Sequence, residues 1–200
     1  MNAIKWKPAL YLILVIAAVI STIKWMLGDK EFSIKFVTDC IGTSVTVITL
    51  LTGLFCSTFW KFKCFRKWLV LIPNLNGAWQ GTIASNWIDP ETKQKKEIIP
   101  TTLIIKQSLF KTSCLLKTEE STSRSIVANF FIDEDDQICR LIYTYQNDSK
   151  STVRDRSPIH YGTTSLEIVE EHNTIMLHGD YWTSRGTSGM LSFNSKDKEN

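Results

Sequence analysis

"TIMLHGDYWTSRGTSGMLSFN", residues 174–194, decides the fold of this chain. Two runs of alternating apolar and polar residues flank "SRG" at 184–186, a cluster of turn formers. Strict alternation marks a half-buried strand, because successive side chains point to opposite faces. The stretch therefore reads as a hairpin with strands at 174–183 and 187–194. Asp180 belongs in water, so it turns Leu177, Gly179 and Tyr181 inward.

Working outward, the same texture begins after Pro73. Six further runs fall at 77–84, 98–109, 110–118, 122–132, 137–147 and 159–170. "DEDD" at 133–136 and "EHN" at 171–173 read as further hairpin turns, and 148–158 as a polar connection. No stretch of this part has the 3.6-residue period of a long helix. Eight short strands joined by tight turns predict an all-β domain over 73–200, a compact eight-stranded antiparallel up-and-down β-barrel. A barrel of that size is either filled by its side chains or holds one small ligand.

Charged residues phase the other strands in the same way. Lys106 outward puts Ile99, Thr101, Leu103, Ile105 and Gln107 inside. Lys111 and Lys117 leave Thr112, Cys114 and Leu116 inside, and Arg140 leaves Leu141, Tyr143 and Tyr145. Glu167 leaves His160, Gly162, Thr164, Leu166 and Ile168. Trp79, flanked by Gly77 and Gly81, and Ile83 face inward. With Asn129 outward, Ile126, Ala128 and Phe130 face in, and so does Arg124. A guanidinium inside a small barrel is costly unless it meets an anion. The candidate ligand-binding residues are Trp79, Gln107, Arg124, Tyr143, Tyr145, His160, Thr164, Tyr181 and Arg185 of the "SRG" turn. Aromatic faces beside an arginine suit a flat, anionic ligand that stacks while the guanidinium forks onto phosphate. An apolar ligand in a lipocalin-like carrier is the alternative occupant.

The first 72 residues are different. Residues 8–27 and 40–60 each approach the roughly 20 apolar residues that cross a bilayer. A basic start at Lys5 and Lys7 resembles a signal peptide, but no small-x-small cleavage site follows, and a second span soon after favours an anchor. Six basic residues, Lys5, Lys7, Lys61, Lys63, Arg66 and Lys67, lie outside the pair of spans, against Lys24, Lys30 and Lys35 around the loop. The positive-inside rule then places both termini in the cytoplasm. In the second span Thr38, Gly42, Thr46, Thr49, Gly53 and Ser57 keep one helical face small. Such a face serves either a hairpin with the first span or self-association.

Charge and motifs narrow the function. Residues 1–72 carry nine Lys or Arg against three acidic residues, and 73–200 carry fourteen against seventeen, within a net charge of +3. A mildly acidic domain is a poor partner for DNA or RNA polymers, which need a positive face. Cys40, Cys56, Cys64, Cys114 and Cys139 form no C-x-x-C pair and fit a reducing compartment. His160, His172 and His178 lack metal-ligand spacing, so no metal or other cofactor is expected. No nucleophile elbow, P-loop, zincin or S-x-x-K motif occurs in the β part, so no catalytic residue is assigned.

"NGAWQG" at 76–81, "SRS" at 123–125, "HYGTTSL" at 160–166 and "GDYWTSRGTSG" at 179–189 follow two apolar spans. This layout resembles, along the whole chain, the two-transmembrane β-barrel effectors of cyclic-oligonucleotide-based antiphage systems (CBASS). The resemblance implies a barrel that binds a cyclic dinucleotide made after phage infection. It implies that binding drives the spans to oligomerise, disrupts the bacterial inner membrane and kills the infected cell. It implies no enzymatic activity. The partners are then the cyclic dinucleotide, the lipid bilayer and further copies of the chain.

Overall fold

The computed structural model describes residues 3–28, 32–88, 93–95, 97–171 and 174–194, in two compact units, 2–73 and 74–200. In the first unit, α1 (Trp6–Leu27) and α2 (Ile34–Ser57) form an antiparallel pair. The second helix starts earlier than the expected 40–60, because Ser33 caps it by accepting a hydrogen bond from the Phe36 amide at 3.2 Å. It ends at Ser57, where the chain passes into short 3₁₀ turns. Both helices are long and apolar enough to cross a membrane, and α1 has no buried residue. A core helix of a soluble domain would bury its apolar face; here that face is presented to its surroundings, as lipid allows.

Beyond the helices, residues 3–5 bridge 69–71 in antiparallel fashion, with Lys5 N donating to Leu69 O and Leu71 N to Ala3 O, both at 2.9 Å. This clasp draws the start of α1 and the segment after α2 together, so both ends of the helical pair lie on one side.

The second unit is a closed barrel of eight antiparallel strands in chain order. They are β1 (Gly77–Ser85), β2 (Ile99–Gln107), β3 (Thr112–Lys117), β4 (Ser121–Asp133), β5 (Ile138–Ser149), β6 (His160–Glu171), β7 (Thr174–Thr183) and β8 (Ser188–Asn194). The strand phases follow the sequence reading on β1, β2, β3, β5 and β6, where the residues expected inside are the buried ones. The turn after β4 is an Asx turn, with Asp133 accepting from the Asp135 and Asp136 amides. Residues 172–173 of the "EHN" turn lie outside the described residues.

The correction falls on β4. Its register against β5 shifts between Ser125 and Val127, leaving Ile126 as the extra residue of a β-bulge. A bulge reverses parity. Below it Ala128 and Phe130 point inward as expected, while above it Ser123 is buried and Arg124 is exposed. Ile126, expected inside, is 65% exposed. Arg124 pairs in register with Leu115 and Gln146 on the outer wall.

The interior is solid. Leu103, Ile105, Leu141, Tyr143, Leu166, Leu177, Leu191 and Phe193 are all fully buried. Call the end where β1 starts the lower end. There Leu75 and Leu109 are buried, Trp79 Nε1 donates to Leu75 O at 2.9 Å, and Leu75 N donates to Gln107 Oε1 at 2.8 Å. Asn76 reciprocates with the Gln107 backbone at 2.7 and 2.9 Å. Trp79 and Gln107 thus pin the entering chain across the lower end. Gly81 lets the Phe193 ring lie flat over β1, since a Cβ there would sit 2.4 Å from that ring and 2.1 Å from Ser192 O. Gly81→Val is expected to cost the barrel about 1–3 kcal/mol through overpacking. A urea titration followed by tryptophan fluorescence would measure the loss, and an unchanged midpoint would contradict this account of the core.

Candidate functional site at the upper mouth

The upper end is built from the last residues of β1, β5 and β7 and the first of β4, β6 and β8. Register places Ser123 beside Asn147, Asn147 beside His160, Gly162 beside Tyr145 and Thr183, and Tyr181 beside Gly189. Tyr145 and His160 are buried, and Tyr181 is half-buried. Two glycines make room for the tyrosines. A Cβ on Gly162 would meet the Tyr145 hydroxyl at 2.4 Å, and one on Gly189 would meet Tyr181 Cε1 at 2.8 Å. The rings of Tyr143 and Tyr145 lie 5.9 Å apart at 50°, so the aromatic surface continues one layer down.

Arg185 supplies the cation. It sits in the exposed β7–β8 turn, whose Gly186 takes φ +76°, and its Nη1 donates to Ser157 Oγ at 3.3 Å. Its charge reaches both neighbours. Burial pushes the Tyr145 phenol up to about 12, Tyr181 adds to the rise, and Arg185 offsets part of it. Tyr145 is therefore a neutral donor near neutral pH. His160 is held below its ordinary 6.5, chiefly by burial, with the Pro158 carbonyl opposing and Arg185 adding to the fall. Its Nδ1 lies 2.9 Å from the Pro158 carbonyl, which can only accept. The ring is therefore neutral with the proton on Nδ1, and Nε2 is left as an acceptor.

A polar network lies beside these groups and was missed in the sequence. Asn147 donates to Ser121 at 3.0 Å and Ser123 at 2.8 Å, and Ser149 bonds Asn147 at 3.2 Å and Ser157 at 3.1 Å. Carrying the β5 alternation two steps past Tyr145 would have found Asn147 and Ser149. Ser123 could not be found without the bulge.

The nine sequence-derived candidates thus separate. Tyr145, His160, Tyr181 and Arg185 meet at the mouth. Tyr143 and Thr164 are register partners in the layer below, and both side chains are fully buried. Trp79 and Gln107 belong to the lower end; Trp79 is six residues from Ser85, about 20 Å along an extended strand. Arg124 faces outward and lines a cleft of about 350 Å³ with Ser121, Thr122, Ser149, Lys150 and Arg154, which borders the polar network from its outer side. Among the described residues no group of three His, Cys, Asp or Glu side chains could hold a metal. Burial pushes the Cys114 thiol up to about 12, so it is an inert core group.

The His160 shift has a consequence for stability. The unfolded chain takes up its proton near 6.5, before the folded barrel does, so His160 favours folding fully above that pH and progressively less below it. In the barrel unit, the loss of stability between about pH 6.5 and 5 should be shallower for His160→Gln than for the wild type. Urea unfolding at stepped pH measures it, and parallel curves would refute it.

Residues 70–195 match a family described as Cap15, cyclic dinucleotide receptor domain. Over 186 residues the chain is 28% identical to CD-NTase-associated protein 15 of Staphylococcus schleiferi, an alignment that spans 93% of this chain and 90% of that one. The match begins just before β1 and runs past β8, so it takes in the whole barrel with its mouth and both ends. A closed barrel behind two apolar helices, matched over its full length in this way, belongs to the Cap15 family of cyclic dinucleotide receptors, the effectors of CBASS.

Proposed function

We propose that this chain is an inner-membrane effector with both termini in the cytoplasm, whose barrel binds a cyclic dinucleotide at the upper mouth. The observation that carries the reading is the meeting of Tyr145, Tyr181, neutral His160 and Arg185 within a cyclic dinucleotide receptor family. The tyrosine rings offer faces to a base, Arg185 a fork to a phosphate, and His160 Nε2 an acceptor for an N–H or O–H donor. A packed interior favours a ligand seated at the mouth over an apolar ligand enclosed in the barrel.

On this reading, occupancy promotes association of the spans, disruption of the membrane and death of the infected cell. Support comes from the face of α2. Phe36, Cys40, Ser44, Val47, Ile48 and Phe55 form its less exposed side, whereas Thr38, Gly42, Thr46, Thr49, Gly53 and Ser57 are all exposed. A Cβ on Gly42 or Gly53 would meet nothing within 4 Å. The small-residue stripe is therefore turned away from α1 and open to another helix. Its hydroxyls are already satisfied in part, since Thr46 donates to Gly42 O at 2.9 Å and Ser57 to Leu54 O at 3.0 Å.

Arg185→Ala is expected to weaken binding of a cyclic dinucleotide by about tenfold to a hundredfold, the worth of a charge-assisted hydrogen bond. Arg124→Ala should leave it within about twofold, because that side chain is outside the barrel. Calorimetry with a panel of cyclic dinucleotides decides this; the reverse ranking would move the site to the outer wall. Gly42→Leu with Gly53→Leu should leave binding intact and abolish ligand-dependent assembly in detergent and toxicity in cells. Unaltered assembly in that variant would remove the α2 face from the mechanism.

A further inference from the structure

The end of the helical unit that the clasp closes is both basic and aromatic. Residues 59–68 read "FWKFKCFRKW". Lys5 and Lys7 join Lys61, Lys63, Arg66 and Lys67 there, and residues 1–28 and 57–73 contain no Asp or Glu. The opposite end differs. Asp29, Glu31 and Asp39 are interspersed in sequence with Lys24, Lys30 and Lys35, and Lys24 Nζ donates to Asp39 O at 2.9 Å. Charge alone would fit any solvated end of a helix. The aromatic side chains at the clasped end do not, because large apolar groups leave water where they can.

The segment after α2 is folded. It runs through two 3₁₀ turns, Phe59–Lys61 and Lys63–Phe65, and then doubles back, with the Leu69 and Val70 amides donating to Phe65 O at 3.2 and 2.9 Å. Phe59 stacks on Phe62 with ring centroids 5.7 Å apart, and Phe65 tilts against Trp68 at 6.1 Å. Phe62 is nevertheless 52% exposed, Trp68 46% and Trp6 69%. Lys61, Lys63 and Lys67 are exposed among these rings, and Lys7 Nζ lies 5.7 Å from the Trp6 ring centroid. The Lys5–Leu69 hydrogen bond of the clasp brings Trp6 and Lys7 to the same end as Lys67 and Trp68. Lys67 takes φ +71°, a conformation that glycine holds without steric cost. A cation stands where the backbone alone favours glycine.

We infer that the clasped end is a docking surface for the headgroups of anionic phospholipids, selected over zwitterionic ones. The inference rests on reading α1 and α2 as membrane spans. A helix of 22 residues is about 33 Å long, so its ends reach the headgroup layer. Exposed Trp and Phe rings settle at that level, with their apolar bodies toward the acyl chains. Lysines placed among the rings then meet lipid phosphates, and each adds about fivefold to the preference for an anionic surface. The occupant is lipid because the rings and cations alternate along a segment continuous with α2, at the depth where that helix leaves the bilayer. Both ends of the helical pair contribute to the surface, so a lipid held there touches the start of α1 and the segment after α2 together.

The full chain in detergent micelles, titrated with phosphatidylglycerol or phosphatidylcholine, provides the test, with retained lipid counted by native mass spectrometry. The wild type should retain phosphatidylglycerol at about tenfold to a hundredfold lower concentration than phosphatidylcholine, and the gap should narrow as salt rises. Lys61→Gln, Lys63→Gln and Lys67→Gly together should close the gap while the thermal transition of the chain stays put, since glycine suits the backbone at 67. Lys24→Gln with Lys35→Gln, at the opposite end, should leave the gap open. Equal retention of both lipids by the wild type, a gap that the triple variant preserves, or a gap that the Lys24 and Lys35 changes close as well would each overturn the proposal. Flotation with phosphatidylcholine vesicles after an alkaline wash separates this outcome from the reading beneath it. A chain that floats but shows no headgroup preference sinks the docking surface alone, whereas a chain that fails to float sinks the membrane spans and the docking surface with them.

Discussion

Closing eight strands into a ring whose inside is no wider than its own side chains is the constraint on which the barrel depends. Every inward position must be filled, and none can be overfilled. Large groups are therefore accepted only where the facing strand gives way. Phe193 lies where Gly81 has no side chain, Tyr145 where Gly162 has none, and Tyr181 against Gly189. These pairs set how deep each ring sits. They leave a core of Leu, Ile and Phe below and a shelf of tyrosine and histidine at the upper end.

That shelf is polar because the barrel runs out of strand there. Connections from the upper end bring Arg185 and Ser157 over it, and Asn147, Ser149 and Ser123 satisfy one another at its side. Ion pairs join the 150–158 connection to β5 and to the β3–β4 turn: Arg154 to Asp148 at 3.0 Å, and Arg156 to Glu120. Both pairs are half-exposed and contribute little stability in water, yet they fix where the connection crosses. The mouth is a preorganised surface rather than a cavity.

The helical unit is long and apolar enough to take lipid as its solvent. Its stripe of threonine, serine and glycine would be unremarkable in water, but in lipid it is a place where backbones can approach closely. Because α1 packs on the opposite side of α2, the stripe is not spent on the intramolecular pair. The clasp between residues 3–5 and 69–71 binds the two ends of that pair together.

Much of this was legible in the chain. Alternation and turn residues located all eight strands, and single charges such as Lys106, Arg140 and Glu167 phased most of them, because burial of charge is prohibitive and pleating is local. Length and apolarity located both helices. Four mouth residues, Tyr145, His160, Tyr181 and Arg185, were already among the candidates. What alternation alone could not supply were facts of non-local register. "SRSIVANFF" carries two alternating patterns one step out of phase, and only pairing with β5 places the break at Ile126, which turns Arg124 outward. Trp79 and Gln107 face inward as expected, but which end of the barrel they occupy depends on the strands they meet and on Leu75. The sequence by itself determined the elements and their faces, since those follow from each residue's own contact with water. Only the tertiary structure decided which faces share an end, because that is set by hydrogen-bond registry between segments distant in the chain.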